Sequence, residues 1–178
     1  MVFNQNQKSA KQNVCGCGLV CIKMQHIAFR YISVLVELTK LEGKAHGVLI
    51  AEQLQDVSVR VQSIRHFSVS QMSLLINNAH QLLLDNNCTQ RANIHCVLDV
   101  AAWICGEYAE FVDDVPGLIE SMLKLRLSII PGVLLSAYLQ NSFKLYAFLL
   151  PKLEAENDWD AIDSLDNLLS CTIFKHLK

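Results

Sequence analysis

Apolar side chains recur at helical spacing from residue 27 onward, and strict alternation of apolar and polar residues is hard to find over a strand's length. The pattern predicts seven helices, near residues 28–42, 47–66, 69–84, 90–111, 116–127, 132–150 and 158–177. Gly43 is expected to stop the first helix. Asp114 with Pro116 fits the first turn of a later helix, and Pro131 fits the first turn of the next one. Ser68 with Gln71 has the spacing of a capping box. Because the linkers are short, successive helices are expected to pack as antiparallel neighbours.

Alternate helices begin near Gly47, Gln90 and Gly132. The interval between these starts is about 42 residues, which is typical of two-helix repeat units. Residues 97–105 carry one charge in nine positions, a composition that indicates an inner helix buried on several sides. A stack of helix pairs provides such a position. The sequence therefore predicts an all-α fold, an α-α superhelix of the HEAT/armadillo-like solenoid type built from antiparallel helix pairs.

Composition excludes several classes of protein. The chain has 178 residues, of which 52% are hydrophobic and 18% charged, which is too apolar for a disordered polyelectrolyte. Only 7 Gly and 3 Pro are present, which disfavours an all-β fold with many tight turns. The net charge of −2 gives no overall attraction to nucleic acid. The apolar stretches 27–38 and 133–150 are interrupted by polar residues, so no transmembrane segment is predicted.

Charge is unevenly distributed along the chain. Residues 1–91 carry 9 Lys/Arg and 5 Asp/Glu, whereas residues 92–178 carry 6 and 12. The acidic half contains a run of carboxylates at Glu154, Glu156, Asp158, Asp160, Asp163 and Asp166. Two interpretations remain open: a solvated helix face, or a docking surface for a basic partner. A small basic group at Arg60, Arg65 and His66, with Arg91, is sparse for phosphate binding and more typical of a solvated face.

No group of residues has the pattern of a catalytic or metal site. Cys15, Cys17 and Cys21 are closely spaced and His26 is a conceivable fourth zinc ligand, but a second cysteine pair is missing. The odd count of seven cysteines, with no secretory signal at the N-terminus, suggests free thiols in a reducing compartment. Nucleophile and phosphate-loop motifs are absent from the sequence. We therefore expect no enzyme activity, no catalytic, cofactor-binding or metal-binding residues, no cofactor and no disulfide.

The hexapeptide from Trp103 to Tyr108 predicts close packing rather than chemistry. Gly106 in mid-helix costs about 1 kcal/mol relative to Ala, which is tolerable where a neighbouring helix must come close. Trp103 and Gly106 are expected to be buried, with Glu107 as an acceptor for the Trp103 indole. Cys96 and Cys105 are expected to be buried as small apolar residues.

Several segments resemble the adaptin trunk family, the large subunits of heterotetrameric adaptor complexes. These are Tyr31–Gly43, Arg65–Met72 and the Trp-x-x-Gly-Glu-Tyr sequence at 103–108. The stretches 101–108 and 144–147 are most similar to the delta subfamily of adaptor protein complex three. The resemblance covers residues 31–150, and the family's large subunits are far longer than this chain. It implies an irregular segment at 1–26 that does not resemble the family, followed by a fragment of adaptin-like trunk at 27–178.

The resemblance also implies a function. Such a chain would be a non-catalytic scaffold of a vesicle coat that carries proteins from Golgi and endosomes to lysosome-related organelles. The implied partners are a small sigma-type subunit, a medium subunit and a beta-type large subunit, with a small GTPase and the membrane surface reached through the assembled complex. The implied location is the cytoplasm, on Golgi, endosomal and coated-vesicle membranes. The alternative is an importin-like carrier, although Trp103 and Trp159 do not repeat at the 42-residue interval typical of its ladders.

Overall fold

The computed structural model describes the backbone of residues 5–84, 88–124 and 130–176. Side chains are described for these residues except 5–24, 44, 84, 88–92, 175 and 176. All regular structure in these ranges is helical, which confirms the predicted all-α class. The helices are α1 (Gln5–Arg60), α2 (Arg65–Asn77), α3 (Ala79–Leu84), α4 (Cys88–Glu107), α5 (Val115–Leu123), α6 (Gly132–Glu156) and α7 (Trp159–His176). Single 3₁₀ turns at Gln62–Ile64 and Ala109–Phe111 lead out of α1 and α4.

Helix α1 is folded back on itself at His46, whose backbone angles (φ −120°, ψ 17°) are not helical. The Tyr31 hydroxyl donates to Gln53 Oε1 at 2.9 Å. Along an uninterrupted helix these two residues would lie about 33 Å apart. The first arm of α1 (residues 5–45) therefore turns back at His46 so that Tyr31 contacts the second arm (residues 47–60), which confirms a predicted helix break, three residues after Gly43.

The helices form two layers. In one layer the second arm of α1, α4 and α6 pack side by side in that order, and in the other α2, α5 and α7 do so. Helix α2 also contacts α1 and α4, and α5 contacts α6, so the two layers share a single core. The helices that begin near Gly47, residue 90 and Gly132 all belong to the first layer. The sequence interval of about 42 residues is thus the spacing between successive units of the stack.

Several predicted helix ends differ from the structure. Ser68 is not a cap, because the 3₁₀ turn leads directly into α2 at Arg65 and places Ser68 inside the helix. There the buried Ser68 hydroxyl forms a 2.6 Å hydrogen bond with Ser58 Oγ of α1. Helix α6 continues through Pro151 to Glu156, beyond the predicted end at residue 150, and the buried side chain of Leu153 holds this last turn against the core.

Other local signals act as predicted. The Asp114 carboxylate accepts from the Gly117 backbone N–H at 3.0 Å and caps α5, with Pro116 in the first turn. Pro131 immediately precedes α6. Asn157, in the left-handed region at φ 57°, ends α6 and allows α7 to begin two residues later.

The N-terminal part of the chain differs from the expected irregular segment at 1–26, because the backbone is helical from Gln5. The first proline of the chain is Pro116, so every residue of this N-terminal part has the backbone N–H that a continuing helix requires. The division of the chain at residue 27 stays a prediction.

Gly47 is a position where a side chain does not fit. A Cβ placed there would collide with the main-chain carbonyl of Asn93 in α4, and a main-chain atom cannot rotate away. We expect Gly47→Ala to lower the free energy of unfolding by about 1–3 kcal/mol, measured by urea denaturation. Gly132→Ala is the matched control, because nothing lies within 4 Å of its Cβ position. Equal free energies of unfolding for the two variants would contradict a collision between the added Cβ at residue 47 and the Asn93 carbonyl.

Candidate functional site: the inner helix and the surface of the stack

Helix α4 lies inside the stack, in contact with α1, α2 and α6. Its buried side chains face several directions around the helix; they are Ile94, Val97, Leu98, Ala101, Ala102, Ile104 and Cys105. This confirms the predicted inner helix at 97–105. The small side chains of Ala101 and Ala102 leave room for neighbouring helices, so α4 joins three other helices into one core.

Gly106 allows α6 to approach α4 closely. Gly106 is buried, and a Cβ at this position would lie 2.5 Å from Oδ1 of Asn141 in α6. Asn141 is itself buried and donates from Nδ2 to the Ala137 carbonyl at 2.9 Å, which fixes the orientation of its side chain. The predicted burial of Gly106 beside a neighbouring helix is therefore confirmed.

Trp103 is only half-buried, so the prediction that it is buried between helices is wrong. The ring lies at the edge of α4 and packs edge-to-face on Tyr108, with ring centroids 6.4 Å apart and an interplanar angle of 77°. Glu107 is exposed, and its carboxylate accepts from Lys144 Nζ of α6 at 3.2 Å, which is a different partner from the Trp103 indole predicted from the sequence. The hexapeptide thus connects α4 to α6 through an exposed ion pair as well as through the core.

Arg65 holds the start of α2 against the ends of α1 and α4. Its guanidinium donates to the carbonyls of Ser58 at 3.3 Å and Val59 at 2.9 Å, near the end of α1. It also lies 4.6 Å from the centroid of the Tyr108 ring, a cation–π contact. Arg60 is paired with Asp56 at 2.6 Å. These two arginines of the basic group predicted from the sequence are therefore engaged within the fold; the side chain of Arg91 lies outside the described ones.

Cys105 is a buried thiol between α4 and α2. It contacts the Ser73 hydroxyl at 3.7 Å, and burial raises the pKa of its thiol to about 12. Burial likewise raises the pKa of Tyr138 in α6, with the negative forms of Cys105 and Asp99 adding to the effect. A thiol that stays protonated is a poor nucleophile and metal ligand, so Cys105 acts as a packing residue. Cys96 is only partly buried, contrary to the prediction.

Metal-binding geometry is not found in the described part of the chain, where no three His, Cys, Asp or Glu side chains are placed to hold an ion. The side chains of Cys15, Cys17 and Cys21 lie outside the described ones, so the expected absence of zinc stays a prediction. His26, His46, His66 and His80 are exposed. Among the described residues, no helix is both long and apolar enough to cross a bilayer.

The acidic run forms an exposed surface on the end of α6 and on α7. All six carboxylates are exposed: Glu154, Glu156, Asp158, Asp160, Asp163 and Asp166. Asp158 also caps α7 by accepting from the Ala161 N–H at 3.2 Å. A hydrogen bond to Asp166 raises the pKa of Tyr146 to about 12, with burial and the neighbouring carboxylates contributing. The run is therefore an exposed acidic face, and two of its carboxylates, Asp158 and Asp166, also make contacts within the fold.

Grooves on the surface are shallow. One, of about 460 Å³, runs along the first arm of α1 beside Val34, Leu38, Leu41 and Phe67. Another, of about 430 Å³, lies between α1, α2 and α3 and is lined by apolar side chains with a rim of Gln, Asn and Lys. The first groove also contains polar side chains, of which the Ser33 hydroxyl donates to the Phe29 carbonyl at 3.1 Å and Glu37 is paired with Lys40 at 2.7 Å. Both of these groups are thus engaged within α1.

Comparison with known proteins identifies related sequences. The model of the adaptin N terminal region family matches residues 4–178. The chain is 45% identical over 139 residues to the AP-3 complex subunit delta-1 of Bos taurus, covering 78% of this chain. It is 36% identical over 137 residues to the AP-3 complex subunit delta of Dictyostelium discoideum, covering 77%. These alignments span 11% of the length of either relative.

The cysteines should differ in reactivity in the native protein. Cys105 is buried with its thiol pKa raised to about 12, whereas Cys171 is exposed on α7. At pH 8 the Cys105 thiol is protonated and shielded, so iodoacetamide should modify Cys171 much faster, as mapped by peptide mass spectrometry. Unfolding in urea should remove the difference. Equal rates in the native state would contradict the buried position of Cys105.

Proposed function

Because the chain belongs to the adaptin family, we propose that it forms part of the helical trunk of a delta-type large subunit of adaptor protein complex three. The observation that carries the proposal is the family match over residues 4–178, together with the similarity to relatives named as delta subunits in Bos taurus and Dictyostelium discoideum. The role is that of a non-catalytic scaffold in vesicle-mediated transport from Golgi and endosomes toward lysosome-related organelles.

The stacked helices suit a scaffold. Consecutive helix pairs expose extended faces while the shared core keeps those faces in fixed relative positions. Stability in this architecture depends on contacts between neighbouring helices, so few surface positions are required for folding. Exposed positions are therefore free to serve binding, which then rests on a few anchor side chains rather than on total area.

The proposed partners are the other subunits of the complex: a small sigma-type, a medium and a beta-type large subunit. A small GTPase and the membrane surface are reached through the assembled complex, on the cytoplasmic side of Golgi, endosomal and coated-vesicle membranes. Residues 27–178 are the part proposed to belong to the trunk. Family membership does not favour the importin-like alternative.

A chimera tests this proposal. The aligned 139-residue segment of the bovine relative is replaced by the corresponding segment of this chain, and the tagged chimera is purified from mammalian cells. We expect it to recover the small, medium and beta-type subunits of the same complex, as the unaltered bovine protein does, and not the subunits of a different adaptor complex. The segment carries the contacts of α4, which set the spacing of the stack.

The control chimera carries Gly106→Leu, which inserts a side chain where Asn141 approaches α4. We expect this variant to lose the other subunits, because overpacking between two inner helices displaces them. A chimera that is soluble and helical by circular dichroism, yet recovers none of the adaptor subunits, would contradict the proposed function.

A further inference from the structure

The outer side of α2 carries an exposed leucine between two cavities. Leu74 is 54% exposed, although α2 lies between the first arm of α1 on one side and α5 on the other. Its side chain lines both a cavity of about 430 Å³ on the α1 side and a cavity of about 200 Å³ on the α5 side. We call these the apolar cavity and the acidic cavity, and both together the α2 groove. The groove therefore lies between neighbouring helices and not at an end of the stack.

The apolar cavity has the lining of a pocket for an aliphatic side chain. Four of its lining residues are apolar, namely Val36, Leu74, Leu75 and Leu82. Among the described residues of the lining only Lys40 is charged, and its Nζ is already paired with Glu37 Oε1 at 2.7 Å. A cavity with apolar walls and no unpaired charge gains most from burying an apolar group.

Carboxamide side chains surround the apolar cavity. Asn78 Nδ2 donates to the Leu74 carbonyl at 2.8 Å, which leaves Asn78 Oδ1 as an acceptor. Within the described part of the chain, the carboxamides of Gln71 and Gln81 have no hydrogen-bond partner. A carboxamide both donates and accepts, so it can pair with the free N–H and C=O groups of an extended main chain. A helical partner bonds its main chain internally, so these groups favour an extended segment.

The acidic cavity combines apolar walls with two carboxylates. Its apolar lining residues are Leu74, Phe111, Val112 and Leu118. Asp114 Oδ1 accepts from the Gly117 N–H at 3.0 Å, whereas Asp113 is exposed and forms no ion pair with any described residue. No lysine or arginine is found among the described residues of this lining. Such a cavity is complementary to a lysine or arginine, whose methylene groups pack on apolar walls while the charged end meets a carboxylate.

From these two cavities we propose that the α2 groove binds an extended, basic segment of a partner protein. A large aliphatic side chain of the segment occupies the apolar cavity, and a lysine or arginine occupies the acidic cavity. The cavities lie in successive gaps between helices, and such gaps are about 8–10 Å apart, the usual distance between packed helix axes. In a polyproline II segment, residues three positions apart face the same side at about 9 Å. Two residues therefore separate the aliphatic and basic anchors.

Fluorescence anisotropy with the whole 178-residue chain tests this binding. The probes are two end-blocked, fluorescein-labelled peptides, Gly-Gly-Leu-Pro-Pro-Arg-Gly-Gly and the reversed sequence Gly-Gly-Arg-Pro-Pro-Leu-Gly-Gly, because neither cavity sets the direction of the segment. We expect at least one peptide to bind with a Kd of about 10–100 μM. Replacing its leucine by glycine should weaken binding at least about tenfold. Replacing its arginine by glutamine should weaken binding about two- to fivefold at low salt.

Variants of the chain place the peptide in the groove. Asp113→Asn should weaken the arginine peptide about two- to fivefold and leave the glutamine peptide unchanged, because both changes remove the same ion pair. Leu74→Ser should weaken both peptides, because Leu74 lines both cavities. Asp163→Asn is the matched control, since Asp163 is an exposed carboxylate on α7 outside the groove and should leave both affinities unchanged. Circular dichroism establishes that each variant is folded.

Three results would overturn the proposed groove. They are no binding of either peptide at about 1 mM, an effect of Asp113→Asn that is equal for the arginine and glutamine peptides, and an effect of Asp163→Asn as large as that of Asp113→Asn. The last result would indicate general attraction of a cationic peptide to an acidic surface. Binding of a segment at the α2 groove goes beyond the proposed role in a trunk. The peptide assay uses the chain alone and the chimera uses the assembled complex, so either can fail without the other.

Discussion

The close packing of α4 against α1 on one side and α6 on the other is the contact on which the remaining helices depend. Two glycines make it possible. At Gly47 the backbone of α1 meets a main-chain carbonyl of α4, and at Gly106 the backbone of α4 meets the Asn141 side chain of α6. Between them, fully buried residues such as Leu98 and Ile104 each contribute about 1.5–3 kcal/mol relative to exposure. Helices α2 and α5 then cover the core of this layer from the second layer.

This arrangement determines where polar chemistry is found. Inside the stack, Cys105 and Tyr138 are held in their neutral forms by burial, which raises the pKa of both groups. At the surface, the charged groups are exposed and pair locally, as Lys144 does with Glu107. A molecule organised in this way fixes the positions of its helix faces and leaves their surfaces exposed, which is consistent with the proposed role in a trunk.

The sequence predicts the all-α class and the inner position of α4, because hydrophobic periodicity determines both. It also predicts the helix break near Gly43 and the helix starts at Asp114 and Pro131, because local residue preferences determine where helices end and begin. The burial of Gly106 also follows from the sequence, since a mid-helix glycine needs a packing reason. The partial exposure of Trp103 does not follow, because the helical pattern does not show which neighbour covers each face. Ser68 with Gln71 matches a capping box in the sequence, but in the structure Ser68 lies inside α2 and pairs with Ser58 of α1.

Hydrogen–deuterium exchange tests most directly whether α4 is the element that holds the stack together. If it is, the amides of residues 97–105 open only when the whole chain unfolds, and they should exchange more slowly than those of α7, which lies at the edge of the second layer. Exchange at 97–105 should also follow the global free energy of unfolding when urea is added. Exchange of these amides as fast as those of α7, under conditions where the chain remains folded, would contradict the account.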